Sequence, residues 1–277
     1  MDILLYFAGA AVCVFLVYLF FLMPAFDRKC VADFKKILSS GGNMIAHRGL
    51  HGDGVPENSL EAFRKASAEG YSIEFDIALS KDGVPVIFHD ENALRMCGVD
   101  RKISDMTLSE IKELSLAGTC ERVPTLEEAL SAIKESGMRS DRFILAEYKP
   151  AKYDEKLCPA AAPMLEKCGL YYAVESFNPM YTHWYQKNMR GVVRGQLTTS
   201  FTKEEKKKKK ELILLEKLLV NVMSRPDFIS RPCDDYKCVG HKICVKWFKC
   251  LDLVWTPKPE EKAKELLKTA DGSIFER

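Results

Sequence analysis

Residues 73–90 read IEFDIALSKDGVPVIFHD, and the arrangement of charge and bulk in this stretch decides the fold. Glu74 and Asp76 stand two apart in an apolar, β-branched run. In a strand, both carboxylates face one side while Ile73, Phe75 and Ile77 face the other. Two like charges held side by side in a core are costly. The usual relief is a cation, and an all-oxygen pair suits a hard one, Mg²⁺ or Ca²⁺. After a Lys81-Asp82-Gly83 turn, a second apolar strand at 84–88 ends in His89-Asp90. An imidazole at a strand end, beside paired carboxylates, points to acid/base chemistry next to a metal.

Outward from this stretch, strand-like and helix-like segments alternate. Further strands are expected at 43–48, 143–149, 171–177, 192–198, 227–230, 251–255 and 273–275. Asn58 or Ser59 caps a helix that closes at Gly70, and Thr107 with Glu110 and Thr125 with Glu128 are capping boxes. Asn178-Pro179 opens another helix, and helical stretches follow at 203–219, 242–248 and 259–268. This alternation implies a mainly parallel sheet, and about eight such units imply a (β/α)8 TIM barrel over residues 43–277. There are nine strand-like pieces for eight places. The link from Ile77 to Val84 is too short for a crossover helix, so one piece lies outside the barrel or is joined irregularly. The chain ends just after its last strand, and a juxtamembrane helix at 33–42, within a segment 27–42, is expected to cover the place of the closing helix.

The N-terminus has a different character. Residues 3–26 carry no charge and are long enough to cross a bilayer at about 1.5 Å per residue. The stretch is too long for a signal-peptide core and has no cleavage-site pattern, so one uncleaved N-terminal transmembrane helix is expected before the barrel. Only Asp2 and the amino terminus precede it, whereas Arg28, Lys29, Lys35 and Lys36 follow, which puts the bulk of the chain in the cytoplasm. The ten cysteines lack a disulfide-scaffold spacing and read as reduced core residues. With 41 basic against 39 acidic residues, the chain carries no nucleic-acid signature.

At the C-terminal strand ends, the working face of such a barrel, the sequence offers His47, Arg48, Glu74, Asp76, His89, Glu147 and Lys149. Here the chain resembles the glycerophosphodiester phosphodiesterase family of phospholipase-C-like barrels. The likeness rests on His47-Arg48-Gly49, Pro56-Glu57-Asn58-Ser59, Glu74-Phe75-Asp76, Asp82-Gly83, His89-Asp90 and Glu147-Tyr148-Lys149, with weaker echoes at Ser176-Phe177-Asn178-Pro179 and Val254-Trp255-Thr256. The resemblance implies that Glu74, Asp76 and Glu147 hold one divalent cation, with His47 and His89 as the acid/base pair. Arg48 and Lys149 would grip phosphate oxygens, and Glu57 would help arrange the metal and the glycerol end. Together with the N-terminal span, it implies a membrane-anchored hydrolase that releases glycerol 3-phosphate and an alcohol from a glycerophosphodiester. The attacking oxygen is the glycerol 2-hydroxyl or water. The alternatives are a lysophospholipase D acting on a single-chain lysophospholipid, and a silent barrel that binds phosphodiesters or a protein.

Three features stand beside this reading. The run of lysines at 206–210 is a solvated helix face or a contact with anionic lipid. Cys233, Cys238, His241, Cys244 and Cys250 lack the paired spacing of a zinc knuckle. Phe177 and Trp255, late on their strands, are core aromatics or walls of a substrate pocket.

Overall fold

The computed structural model describes residues 2–26, 28–149, 152–234 and 236–277, with side chains described from residue 6. Helices α1 (Asp2–Leu22) and α2 (Lys29–Ile37) precede the first strand, and α3 (Leu60–Ala68) follows it. Nine strands form among the described residues: β1 (Met44–Ala46), β2 (Ser72–Leu79), β3 (Pro85–Ile87), β4 (Ile144–Tyr148), β5 (Tyr172–Ser176), β6 (Val193–Leu197), β7 (Phe228–Pro232), β8 (Leu251–Trp255) and β9 (Gly272–Phe275). Eight are parallel neighbours in the order β1-β9-β8-β7-β6-β5-β4-β2, and β1 pairs with β2 to close the ring. The expected TIM barrel is therefore present.

The surplus strand is β3. It pairs antiparallel with β2, Ile77 opposite Ile87 and Leu79 opposite Pro85, and lies outside the ring. The tight turn before it explains this: Gly83 takes φ 82°, and the Ser80 hydroxyl accepts from Val84 N–H at 2.9 Å and donates to Asp82 at 2.7 Å. So short a link can only reverse the chain. β3 then carries its own small core, in which Val86 and Phe88 meet Ile103, Ile111 and Val123.

Alternation along β2 separates two layers. Ile73, Phe75 and Ile77 pack outward with Phe63 of α3 and with Leu126 and Ile133 of the helix Leu126–Glu135, while Glu74 and Asp76 turn inward. That helix and the helix Leu108–Lys112 both open with complete capping boxes, from Thr125 and Thr107. Ser59 caps α3, accepting from Ala62 N–H.

Two expectations are corrected and a third is narrowed. First, α2 does not fill the gap of a closing helix. Phe34 and Leu38 enter the barrel's end among Ile45, Phe143, Leu145, Phe228, Leu253 and Ile274, and Phe34 lies 4.8 Å from the Phe143 ring and 6.1 Å from Phe228. An open barrel end would leave these inward apolar residues wet, and α2 stoppers it. Phe34→Ala is expected to lower the unfolding free energy by about 3–5 kcal/mol in urea titration. A loss below about 1 kcal/mol, the scale of an ordinary surface change, would contradict the stopper.

Second, the lysine-rich segment is not one helix. Helix Lys203–Lys208, opened by a Thr202/Glu205 capping box, stops where Lys209 turns extended, and helix Glu211–Glu216 follows. Like charges one turn apart repel along a continuous helix, which accounts for the break. Leu215 and Leu218 are buried, but Ile213 and Leu214 remain exposed.

Third, the helix expected from residues 3–26 ends at Leu22, and the side chains of residues 2–5 lie outside the described set. Among the described residues, no helix is long and apolar enough to cross a membrane. The end of α1 is docked on the barrel: Leu22 packs with Leu218, Ile229 and Ile243, and Arg225 donates to the carbonyls of Phe20 (2.8 Å) and Met23 (2.9 Å), which a helix end leaves unpaired. Arg28 then pairs with Asp227 at the entry to β7. The late cysteines do not converge with His241, whose Nε2 faces Asp252 at 2.9 Å.

Candidate active site

The turn after β1 is built for close approach. Arg48 and Gly49 both take left-handed backbone, φ 52° and 75°, and a Cβ at position 49 would lie 2.8 Å from Ala62. Only glycine fits so near another backbone. The turn brings the Arg48 N–H to 2.7 Å from Glu74 Oε2 and its guanidinium to 3.3 Å from Asp76. On the next strand over, Glu147 stands beside Asp76 in register, and Lys149 lies 2.5 Å from Glu147 and 3.6 Å from Asp76.

Glu74, Asp76 and Glu147 each offer an oxygen, all lying within 4.8 Å of one another. Glu74 Oε1 and Asp76 Oδ1 are buried and make no hydrogen bond, and buried Glu147 Oε1 meets only the Lys149 ammonium. With all three ionised, these buried carboxylates would outnumber the two cations, Arg48 and Lys149, by one. Burial, then repulsion from Asp76 and Glu147, pushes Glu74 well above the carboxylate range, and burial also raises Glu147. Burial works against Asp76 as well, but Lys149, His89, Arg48 and Asn58 outweigh it and hold Asp76 below that range. Orphaned oxygens with surplus charge are a donor set that fits a hard divalent cation.

Two imidazoles flank this cluster, each tied at Nδ1 to a carboxylate: His47 to Glu276 at 2.6 Å and His89 to Asp90 at 2.5 Å. A carboxylate only accepts, so the proton sits on Nδ1 and Nε2 is left for other work. Burial pulls His47 below its ordinary value, and Glu276 offsets only part of this. Glu276 also meets His51 and Lys258, and these partners, led by His47, overcome its own burial and hold it far below the carboxylate range. A cavity of about 210 Å³ is lined by His47, Arg48, Glu74, His89, Glu147 and Lys149 on its polar side. Phe177 and Trp255 line the same cavity, their rings 6.0 Å apart and edge to face. Lys149 stands 5.8 Å above Phe177.

The model of the glycerophosphoryl diester phosphodiesterase family matches residues 47–219, well over half of the chain. The chain belongs to this family. Mouse glycerophosphodiester phosphodiesterase 1 is 38% identical over 96 residues, 31% of this chain and 29% of its own. The glycerophosphodiester phosphodiesterase of Caldanaerobacter subterraneus is 41% identical over 99 residues, 32% of this chain and 40% of that one. The chain thus spans less than half the length of these curated relatives. Solved structures match more fully. The Oleispira antarctica phosphodiesterase, solved in complex with the product sn-glycerol-3-phosphate, superposes with a TM-score of 0.67 at 25% identity, covering 86% of this chain and 94% of that one. The Thermotoga maritima glycerophosphodiester phosphodiesterase gives 0.62 at 26%, covering 84% and 93%.

In this family member, nine of the ten residues singled out in the sequence line the cavity or its carboxylate cluster. Glu57 is the exception. It stands behind the site, binding Arg48 at 2.8 Å and Arg95 at 2.6 Å, and does not join the carboxylate triad. Four groups were missed. Asn58 donates to Asp76 at 2.7 Å from a left-handed backbone, and Arg95 joins Asp90 to Glu57. Glu175 sits beside Glu147 in register, buried with an unpartnered Oε2, and burial drives it well above the carboxylate range. The alternation that marked Glu74 would have marked Glu175. Glu276, 229 positions from His47, leaves no local signal.

Proposed function

We propose that this chain hydrolyses a phosphodiester that joins glycerol 3-phosphate to an alcohol. The observation that carries this reading is the pair of carboxylate-oriented imidazoles lining one cavity with two cations beside three buried carboxylates. Arg48 and Lys149 grip the phosphate oxygens and offset the charge that grows on them. A divalent cation held by Glu74, Asp76 and Glu147, Mg²⁺ or Ca²⁺, would supply further positive charge beside those oxygens. His47, neutral and buried, takes the proton of the attacking oxygen at Nε2. His89 gives a proton to the departing alkoxide as the phosphorus–oxygen bond breaks. The attacking oxygen is water or the glycerol 2-hydroxyl; the latter makes a cyclic phosphate that a rapid quench would capture. Phe177 and Trp255 wall the glycerol. A cavity of about 210 Å³ suits glycerol phosphate.

The test is release of glycerol 3-phosphate from glycerophosphocholine and glycerophosphoethanolamine by the full chain, with cation and with chelator. Chelator-sensitive release supports the reading. No release from a folded sample with any divalent cation would favour a binding protein.

Glu276 is a positioning residue here. Glu276→Gln is expected to lower kcat about 10–100-fold, as the loss of a group that orients a working histidine does, with KM little changed and Glu276→Asp recovering part of the rate. Because Glu276 raises the His47 value, its loss should also move the acid limb of kcat/KM to lower pH, since the base stays neutral further down. An unmoved limb with full activity would contradict this role.

We also propose that the exposed part of the uncharged segment 3–26 anchors the chain in a membrane, with the barrel on the cytoplasmic side. An unbroken helix over Asp2–Leu22 with exposed Phe7, Val12, Val14 and Leu16 supports this. Alkaline carbonate should leave the chain in the membrane, and a membrane-impermeant thiol reagent on intact cells should spare the exposed Cys120.

A further inference from the structure

A cavity of about 590 Å³ lies at the strand-entry end of the barrel, away from the catalytic strand ends. Its walls are the link from α1 to α2, the end of the helix Pro179–Asn188 with the residues after it, the start of β6, and Arg225 just before β7. Arg28, Lys29, Lys187, Arg190, Arg194 and Arg225 line it, and no carboxylate does. One acid lies beneath, the buried Asp227, which pairs with Arg28 and stands 4.0 Å from Arg194. Asp27, next along the chain, lies outside the described residues. Even with Asp27 counted, the six cations exceed these two acids by four. In the adjoining groove, Asp33 is held by Lys36 at 3.0 Å and Glu166 accepts from the Tyr172 hydroxyl at 2.9 Å.

The six cations differ in what already holds them. Arg28 is taken by Asp227 and by the Arg190 and Val192 carbonyls, and Arg225 by the carbonyls at the end of α1. Lys29, Lys187 and Arg190 are exposed and make no ion pair among the described residues. Arg194 is only 3% exposed. Its Nε and Nη2 donate to the Ser224 and Arg225 carbonyls, each at 2.9 Å, while Nη1 is buried with no hydrogen bond. Burial first, then Arg28 and Arg190 as like charges, outweigh Asp227 and pull Arg194 down to about 10. A buried guanidinium with an unused N–H, beside three free cations, fits an anion with several acceptor oxygens, such as a phosphate. The cavity also sits where the anchor meets the barrel: Ala25 lines it, three residues past the end of α1, and Phe20, Phe21 and Phe26 around it are exposed. Head groups are what a bilayer presents at that depth, and basic pockets on its cytoplasmic side bind anionic ones.

We propose that this cavity binds the phosphate of an anionic membrane lipid, giving the barrel a second, head-group-selective hold on the bilayer beside α1. The inference goes beyond the phosphodiesterase reading and rests on the anchor reading. Arg194 donates from the floor, and Lys29, Lys187 and Arg190 close on the phosphate from the rim.

The test is calorimetric titration of the full chain in detergent with dioctanoyl phosphatidic acid, dioctanoyl phosphatidylcholine and inorganic phosphate. Phosphatidic acid is expected to bind about tenfold tighter than phosphatidylcholine, which has the same chains and a phosphate but no net charge, and tighter than inorganic phosphate. Lys187→Ala with Arg190→Ala should weaken phosphatidic acid binding about tenfold. The lipid-free Tm and the turnover of glycerophosphocholine should not change, because both side chains are exposed and Arg28 uses only the Arg190 carbonyl, which the substitution keeps. Equal affinity for the two lipids, or binding that the double variant does not weaken, would overturn the proposal. Inorganic phosphate bound as tightly as phosphatidic acid would make this a site for soluble phosphates and overturn the lipid assignment. Retention in alkaline carbonate without lipid preference would sink this inference alone, whereas release by carbonate would remove the anchor and this inference with it.

Discussion

His47→Ala and His89→Ala are each expected to lower kcat/KM by about 10²–10⁴, the range for losing a positioned acid or base. The fold should survive, because neither change strands a buried charge. Without His47, Glu276 keeps Lys258 and His51; without His89, Asp90 keeps Arg95 at 2.6 Å. The double variant should fall well short of the product of the two losses, since one proton transfer is of little use without the other. Wild-type kcat/KM should decline as pH falls, because His47 must be neutral to accept a proton, and the decline should lie below its ordinary value of 6.5 since burial lowers it. Steady-state kinetics beside circular dichroism would check this, and a folded His47→Ala protein within tenfold of wild type would remove His47 from the mechanism.

The carboxylate triad makes the second large prediction. Without a cation, the fold keeps protons on Glu74 and Glu147 that the unfolded chain has released above pH 4.5, so stability should fall as pH rises through that region. A bound cation removes this penalty. At a hundredfold excess over its dissociation constant it should add about 2.7 kcal/mol, or roughly 5–10 °C in Tm for a domain of this size. Glu74→Gln keeps an acceptor for the Arg48 N–H and relieves repulsion. The variant should match or exceed the cation-free wild type in Tm yet gain little from Mg²⁺ or Ca²⁺. Glu74→Ala with Asp76→Ala should abolish both the thermal response and chelator-sensitive activity. Calorimetry across pH with and without cation would check this; a double variant still stabilised by cation would show that the ion binds elsewhere.

Much of the site was legible because its residues lie in short runs whose geometry follows from local rules. Period-two alternation put Glu74 with Asp76 and Glu147 with Lys149, and capping chemistry marked Ser59, Thr107, Thr125 and Asn178. Where reading failed, the deciding contact was distant. The break at Lys209 is the local exception, set by repulsion between lysines one turn apart.

The sequence by itself determined the strand count, the order of the strands and of most helices, though not the helix Leu157–Lys167, and the residues at the strand ends, since each follows from the chemistry of neighbours along the chain. The tertiary structure alone decided that β3 leaves the ring, that Phe34 stoppers it, that Glu57 stands behind Arg48, and that Glu276 orients His47. The last of these depends on ring closure, which brings β9 beside β1 and the last residues of the chain beside its first imidazole. No local pattern encodes that meeting, because it arises from parallel pairing around the whole barrel.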